Sequence, residues 1–303
     1  MTTMYIACNN RLERGYFMGD VIVAVKVAYL FAENERPDEI ILSLHHNDPL
    51  NFLWDKFIRV HDVEVVFDHP VKADKESQYT PLNIRRRDRV VEGKTFDVYK
   101  ELYPRLDGGE RQVVLAKSER GLGRANIFEY LYYGQETFTE NPVGTLSYGP
   151  TLIDWKETAP GSEGEIFIAP YEKCQGNKQF TIHFWETVVY DLINQGCEVT
   201  VNGRANFLKE WEHPRLKRTF VSFRELFTQI QGHCLVLTGN TGIGWVAASV
   251  GTPMIACEKD MIFVEYSYEK CGCDNLLETL TEPDAALMVR TVMEWRREHA
   301  APK

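Results

Sequence analysis

The stretch that decides the fold runs Leu235-Val236-Leu237-Thr238-Gly239-Asn240-Thr241-Gly242-Ile243-Gly244-Trp245-Val246-Ala247-Ala248-Ser249-Val250-Gly251-Thr252-Pro253. An apolar run of strand length enters a loop of glycine, asparagine and threonine. The loop opens a helix, and Gly251-Thr252-Pro253 closes that helix ahead of another apolar run, Pro253 to Cys257. Strand, tight loop, helix and strand make the repeating unit of a parallel α/β sheet, whose ligands gather at the carboxyl ends of the strands. Backbone amides of such a loop are free to face an anion, the helix dipole adds partial positive charge, and glycine admits a close approach. Asn240, Thr241, Gly242 and Gly244 are therefore candidate contacts for a diphosphate. An ordinary strand-to-helix turn capped by asparagine would use the same residues, so this stretch alone leaves both readings open.

The same rhythm extends in both directions. Upstream, Glu165 to Ala169 reads as a buried strand, Thr181 to Gln195 as a helix ended by Gly196, Cys197 to Val201 as a strand, Phe223 to Ile230 as a short helix and His233 to Thr238 as the strand of the deciding stretch. Downstream, Pro283 to His299 reads as a terminal helix that could cross back onto the first half. In that first half, Met4 to Cys8 is a strand and Val21 to Phe31 a helix after Asp20. Glu39 to Leu44 is a strand, Asn51 to Val60 an amphipathic stretch and Val63 to Phe67 a further strand. Residues 72–124 are charged and show no clean period. Between the halves, 144–164 is rich in glycine and proline. The fold class expected is α/β: two Rossmann-like, doubly wound parallel-sheet domains, 1–155 and 156–303, facing a cleft.

Composition bounds the function. Across 303 residues, 34 lysines and arginines stand against 44 aspartates and glutamates, a net charge of −10 that repels phosphate backbones and disfavours a general nucleic-acid binder. No apolar stretch approaches the roughly 20 residues that span a bilayer, and the first ten residues lack the basic and apolar segments of a secretory signal, so no integral membrane segment and a cytoplasmic location are expected. Seven scattered cysteines do not form a disulfide framework. Cys271-Gly272-Cys273 is the one metal-like spacing, but zinc needs two further ligands, and His233 and Cys234, the nearest candidates, sit at a strand; no metal is expected.

Other candidates lie outside the deciding stretch. Pro170 to Gln179 follows a strand and precedes a helix; Lys178 is the cation placed near a phosphate, with Lys173 as substitute, and either could be a solvated loop lysine. Glu258, just after Cys257, stands where a carboxylate accepts from ribose hydroxyls. Asp20, behind Gly19 at the start of the first helix, is either an N-terminal helix residue or a general base, and the roles are compatible. From Pro81 to Arg124, 11 basic residues face 7 acidic ones, opposite in sign to the whole chain. Arg85, Arg86 and Arg87 within it suit a phosphorylated saccharide, a lipid-linked acceptor or a nucleic-acid strand, unless they form a solvated face paired with its own acids.

Gly19-Asp20-Val21-Ile22, Lys178, Asn240-Thr241-Gly242 and Ala247-Ala248-Ser249-Val250-Gly251-Thr252-Pro253, in this order across both halves, resemble the heptosyltransferase family of GT-B glycosyltransferases. The resemblance implies a metal-independent, inverting sugar transfer from a nucleotide-diphosphate donor, with no cofactor. Asp20 is then the base, and Lys178, Thr241 and Gly242 are phosphate contacts. Asn240, Ile243 and Trp245 stand where the family carries aspartate, proline and histidine, so the resemblance bears on fold and transferase class more than on an ADP-heptose donor. The partners it implies are a nucleotide sugar and a saccharide or glycolipid acceptor, with modified DNA a lesser choice. Two alternatives share the fold: a nucleotide-sugar epimerase, which would need more acids and histidines than Asp20 supplies, and a non-catalytic nucleotide-sugar or phosphosaccharide binding protein.

Overall fold

The computed structural model describes residues 2–8, 18–44, 46–67, 111–117, 128–132, 165–170, 180–202, 208, 210–239, 241–257, 268 and 273–299. The chain divides into two compact units, Met1–Leu146 and Ser147–Lys303. The linker expected over 144–164 lies outside the described residues.

The first unit contains β1 (Thr2–Cys8), α1 (Met18–Glu35), β2 (Glu39–Leu44), a 3-10 turn (Asn51–Trp54) leading into α2 (Asp55–His61), β3 (Glu64–Phe67), β4 (Arg111–Lys117) and β5 (Phe128–Tyr132). Its sheet has the order β3-β2-β1-β4-β5. The first four strands pair in parallel, whereas β5 runs antiparallel to β4, so this sheet is mixed where a purely parallel one was expected. Val21, Ile22, Val25, Ala28 and Ala32 recur at helical spacing and are buried, which is why α1 lies along the core. Trp54 and Phe57 are fully buried beneath it, with Tyr29 edge-on to Phe57 at 5.0 Å.

The second unit contains β6 (Glu165–Ala169), α3 (Ile182–Asn194), β7 (Glu198–Asn202), β8 (Leu216–Thr219), α4 (Phe223–Gly232), β9 (Leu235–Gly239), α5 (Gly242–Val250), β10 (Met254–Cys257), β11 (Leu276–Leu280) and α6 (Ala285–His299). All six strands are parallel in the order β11-β10-β9-β6-β7-β8. Counted from β6, this is the doubly wound order 3-2-1-4-5-6, whose direction reverses between β6 and β9.

Helices cover both faces of this sheet. On one, Ile166, Ile168, Leu235, Leu237 and Ile255 join Trp185, Val188, Val189 and Leu192 of α3 and Met288 and Val292 of α6 in one core cluster. Each such side chain removed from water contributes about 1.5–3 kcal/mol, so burial holds these helices in place more than their intrinsic propensity does. Helix α6 packs on α3 of its own unit. On the other face α4 packs against α5, and α5 lies over β9 and β10. Thr181 caps α3 by accepting from the Phe184 amide at 3.2 Å. Gly251, at φ 77°, takes the left-handed conformation that ends α5 and turns the chain into β10.

Candidate functional site

The switch in winding direction sets the ends of β6 and β9 side by side, with Ala169 paired to Thr238. At such a point the loops after two adjacent strands part to opposite faces and leave a crevice at the sheet's carboxyl edge. The loop after β9 is short. Gly239 ends the strand, and Thr241 is the N-cap of α5, extended at φ −131° and ψ 165°.

This helix start is fastened from beneath. Thr241 Oγ1 accepts from the Gly244 amide at 3.4 Å and lies 3.0 Å from Thr238 Oγ1, which itself reaches the Ala169 carbonyl at 3.3 Å and the Gly239 carbonyl at 2.9 Å. Tyr268, fully buried, brings its hydroxyl to the same turn. That hydroxyl accepts from the Thr241 N–H at 3.0 Å and stands 3.1 Å from both the Gly239 and the Thr241 carbonyl oxygens. A side-chain carbon at position 244 would fall on the Tyr268 hydroxyl and ring and meet Thr238 Cγ2 at 3.0 Å, so glycine there makes room for a tyrosine. Trp245 is buried, its ring centroid 4.7 Å from that of Tyr268.

The arrangement sorts the amides of the turn. The Thr241 N–H, expected from sequence to be free for an anion, is taken by Tyr268. Gly244 donates to Thr241 Oγ1, and Trp245 donates to the Thr241 carbonyl at 3.3 Å. No described residue accepts from the amides of Gly242 and Ile243, and the first turn of α5 carries no acidic side chain. Two donors at the positive end of a helix can hold the oxygens of one phosphate.

The sequence-derived candidates fall as follows. Thr241, Gly242 and Gly244 converge on this turn. Asp20 lies in the first turn of α1, after β1 in the first unit, and its side chain lies outside what is described. Lys178, Asn240, Glu258, Arg85, Arg86 and Arg87 lie outside the described residues, as do Lys173 and Cys271. Cys273 is buried, and among the described residues no group of three or more His, Cys, Asp or Glu side chains is placed to hold a metal ion. No described helix is long and apolar enough to cross a membrane. Tyr268 and Thr238 escaped the sequence reading, because Tyr268 lies 27 residues beyond Thr241 in a segment without a clear period, and Thr238 reads simply as a strand residue.

Over almost its whole length the chain has a fold similar to that of the GT-B-like glycosyltransferases. The E. coli ADP-heptose LPS heptosyltransferase II matches with a TM-score of 0.54 at 11% identity, over 99% of this chain and 100% of that one. The E. coli heptosyltransferase WaaC with ADP gives a TM-score of 0.52 at 11% identity, over 99% and 100% of the two chains. The glycosyl transferase family 9 structure from Veillonella parvula gives 0.51 at 11% identity, over 97% and 89%. By sequence, no protein-family profile matches and no curated protein is similar.

Proposed function

We propose that this chain is a glycosyltransferase that moves a sugar from a nucleotide-diphosphate donor to an acceptor hydroxyl. The observation that carries the proposal is the start of α5. It lies at the switch point of a doubly wound sheet, with two amides that no described residue accepts from and no acid in its first turn, in a fold similar to that of a heptosyltransferase solved with ADP. Residues 156–303 are assigned to the donor and 1–155 to the acceptor, as two Rossmann-like domains of the GT-B type.

In this reading Asp20 removes the proton from the acceptor hydroxyl as its oxygen attacks the anomeric carbon. The bond to the nucleoside diphosphate breaks and the configuration inverts. Charge developing on the leaving group meets Lys178 and the amides of Gly242 and Ile243, so the mechanism needs no metal to neutralise it. Asn240, Thr241 and Gly244 shape the turn and Glu258 accepts from the donor's ribose. Arg85, Arg86 and Arg87 take an anionic saccharide or glycolipid acceptor.

The test combines thermal-shift screening against nucleoside diphosphates and their sugars with transfer of a labelled sugar. A bound donor raises the melting temperature because it binds only the folded state. Asp20→Asn is expected to retain the shift and to lose transfer by about a hundredfold or more, the usual worth of a positioned base. A flat response to every diphosphate contradicts the donor site. Binding without turnover on any acceptor assigns the chain to the non-catalytic binders instead.

A further inference from the structure

We infer that Tyr268 is a positioning residue for the phosphate-binding turn: its hydroxyl sets the backbone so that the amides of Gly242 and Ile243, and not that of Thr241, face the donor's phosphates. This rests on the donor reading above and adds to it a residue that touches no substrate. Three observations converge. The hydroxyl bridges the residues on either side of Asn240, accepting from the Thr241 N–H and lying in reach of the carbonyls of Gly239 and Thr241. It has one proton, so it donates to one carbonyl or is shared between the two, and in either state its lone pair holds the Thr241 N–H inward. Position 244 carries the one side chain small enough to admit it, since any Cβ there would overlap the phenol.

Thr241 Oγ1 is also committed, to Gly244 and to Thr238. Among the described residues of the turn, the amides without a described acceptor are thereby the next two along the helix, those of Gly242 and Ile243. The glycine that sequence suggests is there for a phosphate is there for a buried phenol, and the phenol in turn aims the amides. Trp245 packs on the Tyr268 ring.

Tyr268→Phe keeps the ring and its contact with Trp245 and removes only the hydroxyl. With inorganic pyrophosphate and ADP as probes, measured well below the melting temperature, the variant is expected to bind both about tenfold more weakly, the equivalent of losing one buried hydrogen-bonded group. A purely structural role would lower the melting temperature and leave both affinities unchanged, which would overturn the inference. If wild-type protein binds neither probe, this inference falls, and the screen over all nucleoside diphosphates decides the donor reading separately. Should the Phe variant not fold, amide hydrogen exchange on the wild-type protein decides. The inference requires the Thr241 amide to exchange slowly without ligand and pyrophosphate to slow Gly242 and Ile243. A Thr241 amide that is fast when free and slowed by pyrophosphate would overturn it.

Discussion

Helices α4 and α5 pack together and each begins with a hydroxyl side chain accepting from an amide in its first turn, but they are finished by different means. At α4 the cap is self-contained and exposed. Ser222 Oγ accepts from the Glu225 amide at 3.3 Å, and the Glu225 carboxylate accepts from the Ser222 N–H at 2.8 Å and its hydroxyl at 2.7 Å. The carboxylate also neutralises the positive end of the helix. At α5 the cap is assembled from distant parts of the chain, Thr238 on β9 and Tyr268 beyond β10, and no carboxylate enters the first turn. The difference separates a helix start capped by its own first turn from one whose described cap partners come from distant parts of the chain. What α4 does with Glu225, no residue of α5's own first turn does.

The largest effect that distinguishes the two ends is expected from Gly244→Ala. The methyl must displace the Tyr268 phenol, which is fully buried and cannot swing into solvent without opening the turn. Overpacking of this kind costs about 1–3 kcal/mol, and the loss of the hydroxyl's bonds adds to it. Thermal or urea unfolding should show a loss at the upper end of that range or beyond, together with loss of diphosphate binding. A variant as stable as wild type would mean that Tyr268 is not seated where α5 needs it.

How far the molecule was legible in its sequence follows from the same contrast between local and distant determinants. Strands β2 and β6 fall on the residues expected, because each is a short apolar run bounded by turn or charged residues. Edge strands β8, Leu-Lys-Arg-Thr, and β11, Leu-Leu-Glu-Thr-Leu, were missed, since an edge strand can keep polar side chains in water and loses the buried signature. Strand β4 was lost for another reason: it is an interior strand whose short apolar run, Val113 to Ala116, sits inside the charged stretch 72–124, and β5, Phe128–Tyr132, follows that stretch where no element was read. At the candidate turn, Thr241, Gly242 and Gly244 could be singled out because a Gly-Asn-Thr-Gly turn between strand and helix is a local signal. The partner that explains Gly244 was not found, because nothing in Tyr266-Ser267-Tyr268 marks one tyrosine as the one that folds back on the turn.

A middle-sized effect should come from removing the two caps in parallel. Ser222→Ala and Thr241→Ala each lose a side-chain acceptor for a first-turn amide, a change worth about 1 kcal/mol in a helix start. Unfolding midpoints should therefore drop by similar amounts. Affinity for ADP should fall severalfold in Thr241→Ala and stay at the wild-type value in Ser222→Ala, with Thr241→Ser restoring most of it. Equal loss of ADP binding in the two alanine variants would erase the distinction between the helix starts.

The smallest effect is confined to α4 and appears only in acid. Glu225 is held below its ordinary value of 4.5 by the Ser222 backbone N–H first and the Ser222 hydroxyl second. A carboxyl with a depressed folded pKa takes up its proton more readily when unfolded. Its stabilising contribution is therefore present above about 4.5 and is lost as the pH falls through the folded value. Glu225→Gln should melt slightly below wild type near neutrality, and the gap should close on acidification. Helix α5 has no first-turn acid to titrate, so Thr241→Ala should keep its deficit across the same range. A gap for Glu225→Gln that stays constant into acid would show that the capping box works by shape and not by charge. The electrostatic half of the contrast would then fall, since the lack of a first-turn acid at α5 is informative only if the acid at α4 works through its charge.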